Sequence, residues 1–107
     1  QNISCYVCDG HRLYTGSDAG IIEGRDVKTN ARFCEFASFL GAPIFKLKLI
    51  GNHLFSIIQE KGVEMWDCNS YCLLKTFKAE GVAAISSHCV AISSLGKISL
   101  WILSPKS

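Results

Sequence analysis

The chain repeats itself, and the repeat constrains its fold more than any other feature. With Trp66 and Trp101 superposed, the fourteen residues ending on them read HLFSIIQEKGVEMW and HCVAISSLGKISLW, aligned without a gap and opening on His53 and His88. Residues 12–25, RLYTGSDAGIIEGR, fall on the same frame with Arg25 in the tryptophan position. The anchors lie 66 − 25 = 41 and 101 − 66 = 35 residues apart. Beyond the anchor, the run from Asp26 to Phe36 (DVKTNARFCEF) matches the run from Asp67 to Phe77 (DCNSYCLLKTF). A period of this length belongs to stacked supersecondary units, each too small to bury its apolar face without a neighbour.

Each unit reads as strands separated by short turns. Turn residues stand at Asp9-Gly10, Gly51-Asn52 and Ser86-Ser87, then at Asp18-Ala19-Gly20, Glu60-Lys61-Gly62 and Leu95-Gly96, and then at Lys28-Thr29-Asn30 and Asn69-Ser70. The segments between them are rich in β-branched and aromatic residues and show no helical period. Strands are expected near residues 3–7, 12–17, 21–26, 31–37, 44–50, 53–58, 63–67, 71–77, 82–86, 88–93 and 97–103. The fold class is therefore all-β, a series of four-stranded antiparallel meander sheets. Residues 1–40 and 41–80 form whole units, and 81–107 form a partial one with three strands.

Composition narrows the class further. With 107 residues, 49% of them hydrophobic, and a net charge of +2, the chain supports one modest core. Lys46, Lys48, Lys61, Lys75 and Lys78 are dispersed among apolar residues rather than clustered, so no basic stripe for nucleic acid is present. No apolar run approaches the ~20 residues of a helical membrane span. Cys5, Cys8, Cys34, Cys68, Cys72 and Cys89 lie in apolar runs, where a reduced thiol serves as a small buried hydrophobe. That reading favours an intracellular protein, cytoplasmic or nuclear, over a secreted disulfide scaffold.

The repeat resembles the WD40 β-propeller family along almost its full length. The family pattern over the third and fourth strands is G-x-I-x-[VL]-W-D-hydrophobic-x-[ST]-G-x-hydrophobic. Gly96, Ile98, Leu100 and Trp101 match it in the last unit; Val63, Met65, Trp66 and Asp67 in the second; Ile22 and Asp26 in the first. Arg25 stands in place of tryptophan, Ile102 in place of aspartate, and Lys61 in place of the turn glycine. The family's Gly-His pair before the first strand is missing; Gly41-Ala42-Pro43 and Glu80-Gly81 stand there instead. The family's Asp-His-Ser/Thr-Trp hydrogen-bond network is therefore not expected to be complete. The resemblance implies that Trp66 and Trp101 are buried between successive sheets. Phe36 and Phe77 should occupy equivalent outer-strand positions, and Ile98 and Leu100 should plug one face. About two and three-quarter blades are fewer than a propeller needs to close. The chain begins at Gln1 and reads as a piece of something longer. Further blades of the parent chain, or further copies, are expected to cover its bare faces.

Several side-chain groups invite chemistry. Cys5, Cys8 and His11, with Cys68 and Cys72, include proper zinc ligands. Residues three apart on a strand face opposite ways, however, so Cys5 and Cys8 read as core thiols, and no metal is expected. Glu23 with Asp26, and Glu60 with Glu64, read as solvated carboxylates, and His53 and His88 as equivalent turn residues. Gly16, Gly20 and Gly24 precede no helix that could bind phosphate. No serine elbow is found, and Cys89 and His88 point apart. The resemblance thus implies a non-catalytic protein-interaction scaffold without cofactor, binding proteins or peptides rather than nucleic acid or membrane. The residues expected on the binding loops are Asp18, Ala42, Pro43, Glu60, Lys61 and Glu80. Two alternatives are an enzyme with a channel-lining site, for which only Lys46 and Lys48 on an inner strand qualify, and the substrate-recognition part of a ubiquitin ligase.

Overall fold

Short apolar alternations broken by polar turns produce strands at every expected place. The computed structural model describes residues 2–79, 81–86, 89–94 and 96–103. The elements are β1 (Ile3–Cys8), β2 (Arg12–Ser17), β3 (Ile21–Asp26), β4 (Arg32–Ala37), β5 (Ile44–Ile50), β6 (His53–Ile58), β7 (Gly62–Asp67), β8 (Leu73–Phe77), β9 (Gly81–Ser86), β10 (Cys89–Ser94) and β11 (Lys97–Ile102). They form sheets ordered β1-β2-β3-β4 and β5-β6-β7-β8, with a three-stranded sheet β11-β10-β9 among the described residues. All neighbouring strands are antiparallel. The chain therefore has three consecutive meanders and the fold of WD40 propeller blades.

The first two sheets repeat one another down to single hydrogen bonds. Asp26 Oδ1 accepts the amides of Lys28 and Thr29, and Asp67 accepts those of Asn69 and Ser70 at the matching turn. Asn30 and Tyr71 then adopt positive φ, 64° and 57°, with their amides bonded back to the carbonyls of Asp26 and Asp67. These turns delay the outer strands, so β4 begins at Arg32 and β8 at Leu73 rather than at 31 and 71. Val27 N–H donates to His11 O and Cys68 N–H to Asn52 O, tying each of these turns to the one before the second strand.

The third sheet departs from the gapless alignment. Leu13 faces Arg25 and Leu54 faces Trp66, whereas Trp101 faces Val90. The hairpin joining β10 to β11 closes between Ser94 and Lys97, around two residues. Its counterpart in the second sheet closes between Ile58 and Gly62, around three. The missing residue shifts β10 by one, so Cys89, opposite Ile102, matches His53, opposite Asp67. The expected equivalence of His53 and His88 involves His88, which lies outside the described residues.

The sheets pack face to face through two apolar clusters. Tyr14 and Ile22 of the first sheet meet Ile44, Leu47, Leu54, Ile58 and Trp66 of the second. Phe55, Ile57, Val63 and Phe77 meet Val90 and Ile92 of the third. Gly16 permits the first junction, because a Cβ there would lie 2.6 Å from Ile44 Cγ2. As expected, Phe36 and Phe77 play the same part on the outer strands. Phe36 lies 4.6 Å from the Trp66 ring and Phe77 5.1 Å from the Trp101 ring, each bridging to the following sheet.

Trp66 is 2% exposed, but Trp101 is 39% exposed, so the second tryptophan is not buried as expected. It points back toward Phe77 with Lys75 Nζ 4.9 Å from its ring, and its outer edge is uncovered. Ile98 and Leu100 do not plug a face either. Strand alternation puts them opposite Trp101 on the far side of β11, where they are 73% and 64% exposed. The cysteine expectation divides: Cys68 is buried and Cys5, Cys34 and Cys89 are half-buried, whereas Cys8 and Cys72 stand in solvent. Cys8 is the last residue of edge strand β1, and Cys72 belongs to the turn before β8.

Candidate protein-interaction surface

Antiparallel meanders deliver alternate connections to one end of each sheet, and most of the expected binding residues meet there. Asp18 sits in the β2–β3 turn, where its carboxylate accepts the Asn2 amide at 3.2 Å. Ala42 and Pro43 end the β4–β5 connection, and Pro43 O accepts the Gln59 amide at 3.1 Å. Glu60 and Lys61 occupy the β6–β7 turn and are exposed. Ser38 N–H donates to Gly20 O at 2.8 Å, joining the β4–β5 connection to the β2–β3 turn as well. Five of the six expected residues thus share one hydrogen-bonded rim. Glu80 lies outside the described residues.

A groove of about 540 Å³ opens on this rim where the second sheet meets the third. Phe45, Ile57 and Ala79 supply its apolar lining, with Glu60, Lys61 and Lys78 around the mouth. Phe45 follows Ile44 at a β-bulge and remains largely exposed, although its neighbour is fully buried. Gly62 also lines the groove; its φ is 147°, and a Cβ would lie 2.5 Å from Phe77 O. A side chain there would force the turn away from β8.

One residue behind the rim differs from its expected role. Glu64 is not solvated but fully buried, because its side chain enters the junction between the first two sheets. Trp66 Nε1–H donates to Ser56 Oγ at 3.0 Å, and the Ser56 hydroxyl donates to Glu64 Oε1 at 3.4 Å. Phe39 N–H, in the β4–β5 connection, donates to Glu64 Oε2 at 2.9 Å. The Ser-Trp bond expected of the network is therefore present, and the serine hydroxyl is met by a carboxylate from β7. Glu64 precedes Trp66 by two, so the two share a face of the strand, but only the packing of the first sheet shows that this face is covered at Glu64.

The opposite end of the sheets carries polar groups, but their surroundings make them structural. The hydroxyls of Tyr14 and Tyr71 lie 2.8 Å apart, and burial pushes both phenols above their usual range. Burial likewise raises the thiols of Cys5, Cys34 and Cys68, which leaves them poor nucleophiles. Cys5 pairs with Gly16 and Cys8 with Leu13, placing the two thiols on opposite faces of β1. Among the described residues no three His, Cys, Asp or Glu side chains converge to hold a metal.

These sheets have the architecture of consecutive WD40 propeller blades, and solved structures agree. The chain superposes on the WD40 repeats of RRP9 with a TM-score of 0.77 and 18% identity, over 94% of its own length and 35% of that chain. U3-55K gives the same score and identity over 94% of this chain and 36% of that one. The computationally designed protein Ika4 gives a TM-score of 0.75 at 18% identity, covering 99% of this chain and 69% of its own. The chain thus spans about a third of the two WD40 structures. No protein-family model matches it, and no curated protein matches it in sequence.

Proposed function

We propose that the chain is part of a non-catalytic, intracellular interaction scaffold whose groove between the second and third sheets takes a short peptide segment. The preferred segment carries one apolar side chain between acidic residues. The observation behind this reading is the groove itself, with an apolar lining open to solvent and Lys61 and Lys78 at its mouth. Glu60 is the opposing charge among the described lining residues. An apolar anchor would cover Phe45, Ile57 and Ala79, while flanking carboxylates would meet the two ammonium groups. The fold supports it, since rigid sheets hold many loops in fixed geometry. Six free thiols suit a reducing compartment. The scaffold's partners also include whatever covers the outer faces of its terminal sheets, namely further blades or further copies.

The test is fluorescence anisotropy of a labelled peptide with leucine between two glutamates, titrated with the intact protein. Phe45→Asp is expected to weaken binding at least tenfold, because it puts a charge into the apolar lining and repels the flanking acids. Unchanged affinity in Phe45→Asp would place any binding elsewhere.

A further inference from the structure

We infer that Glu64 is the residue that positions the β4–β5 connection on the binding rim, acting from inside the blade junction as a latch. Residues 38–43 have no ladder partner of their own, so their amides depend on specific acceptors. Phe39 finds Glu64 Oε2 at 2.9 Å, and Leu40 finds Ser38 Oγ at 3.0 Å. Phe39 is itself largely exposed, yet its ring lies 6.0 Å from Trp66 at an interplanar angle of 18°. Main chain and side chain of this one residue are therefore held by two members of the buried chain Trp66–Ser56–Glu64. Leu40 Cδ1 then reaches the Gly62 position, and Pro43 O holds the Gln59 amide. The latch thus extends from a fully buried carboxylate to the turn that carries Glu60 and Lys61.

A carboxylate in this place is demanding. Both oxygens are engaged, and among the described residues no buried side-chain nitrogen or oxygen lacks a hydrogen-bond partner. Removing the carboxylate orphans the Phe39 amide and breaks the serine's donor bond together. Glutamine can keep the amide by offering its carbonyl oxygen to Phe39 and its NH₂ group to Ser56 Oγ. Methionine fills the space without accepting from either. Glu64 is a positioning residue on this reading. Only its consequence for binding rests on the peptide proposal.

Amide exchange of segment 38–43, measured in the intact protein by mass spectrometry, tests the latch. Glu64→Met is expected to speed exchange in this segment by about tenfold or more, the scale of one lost buried hydrogen bond to a charged group. Glu64→Gln should stay within a few-fold of wild type. Ser56→Ala should do the same, because the Phe39 amide is held by Glu64 Oε2 and not by Ser56. The latch is overturned if Glu64→Met leaves the segment protected, or if Gln exchanges as fast as Met. Loosening in Ser56→Ala equal to that in Glu64→Met also overturns it, since the effect would then be general. A segment that loosens while peptide affinity stays constant supports the latch and counts against the peptide groove.

Discussion

The first and second sheets put different chemistry at the same register positions. Arg25 faces Leu13 in one, and Trp66 faces Leu54 in the other. Two residues earlier stand Glu23, opposite Thr15, and Glu64, opposite Ser56. In the second sheet this face is covered by the first, so the indole packs against Phe36 at 4.6 Å and the carboxylate is wholly buried. In the first sheet it lies open, so Glu23 pairs with Arg25 at 3.0 Å and with Arg32 at 3.1 Å, and Arg32 with Glu35 at 2.9 Å. Whether a glutamate becomes a structural acceptor or one rung of an exposed ion-pair ladder is decided by what covers its strand. The third sheet shows the apolar version of an open face, with Ile98, Leu100 and Ile102 exposed.

The contrast should be sharpest at the anchor position. Trp66→Ala is expected to cost about 3–5 kcal/mol, whereas Arg25→Ala should cost under about 1 kcal/mol because its ion pair is screened by solvent. Urea denaturation of both variants checks this, and similar losses would break the comparison. Next comes the carboxylate. Glu64→Ala is expected to lose about 2–3 kcal/mol by orphaning the buried Ser56 hydroxyl and the part-buried Phe39 amide, and Glu23→Ala clearly less. Trp101→Ala should fall between the two anchors, at about 2 kcal/mol, since part of its ring is already in water. A cost equal to that of Trp66→Ala would mean that the exposed edge of Trp101 is covered in the intact protein.

The smallest expected effect is one of acidity. Asp9 accepts the Arg12 amide and guanidinium and the His11 amide, which hold its carboxyl at about 2 against an ordinary value of 3.8. A depressed folded-state value means that the contribution is fully present above pH 3.8 and fades as pH falls through about 2. Ile50 occupies the matching place in the second sheet, one repeat of 41 residues later, so the second sheet has no acid-sensitive counterpart there. Asp9→Asn should flatten the stability profile between these pH values and leave neutral stability only slightly lower. Thermal melts from pH 2 to 5 read this directly.

The sheets were legible in the sequence because a period-2 alternation needs few residues to declare itself, and every turn but Ser86-Ser87 carried a glycine, asparagine or aspartate. That the β2–β3, β4–β5 and β6–β7 connections share one end was also legible, because strand order fixes it. Four features were not. The β10–β11 turn is one residue shorter than its counterpart, and only the strand pairing shows that this moves the partner of Trp101 from residue 89 to residue 90. The exposure of Trp101 depends on what stacks beyond β11, which strand patterning does not encode. The burial of Glu64 required seeing that Ser56, Glu64 and Trp66 share one face, and that the Phe39 amide reaches them from another sheet. The groove was the least visible of all, since Phe45, Lys61 and Lys78 meet only through packing between blades.

Recognition of an apolar anchor between acidic flanks in that groove is tested most directly by a charge swap read by isothermal titration calorimetry. Intact wild type and the double variant Lys61→Glu/Lys78→Glu would each be titrated with two peptides, leucine between glutamates and leucine between lysines. The expected result is a reversal, wild type preferring the acidic peptide and the variant the basic one, each by about tenfold or more. Equal preference in both proteins, or acidic-peptide binding undiminished in the variant, would contradict it.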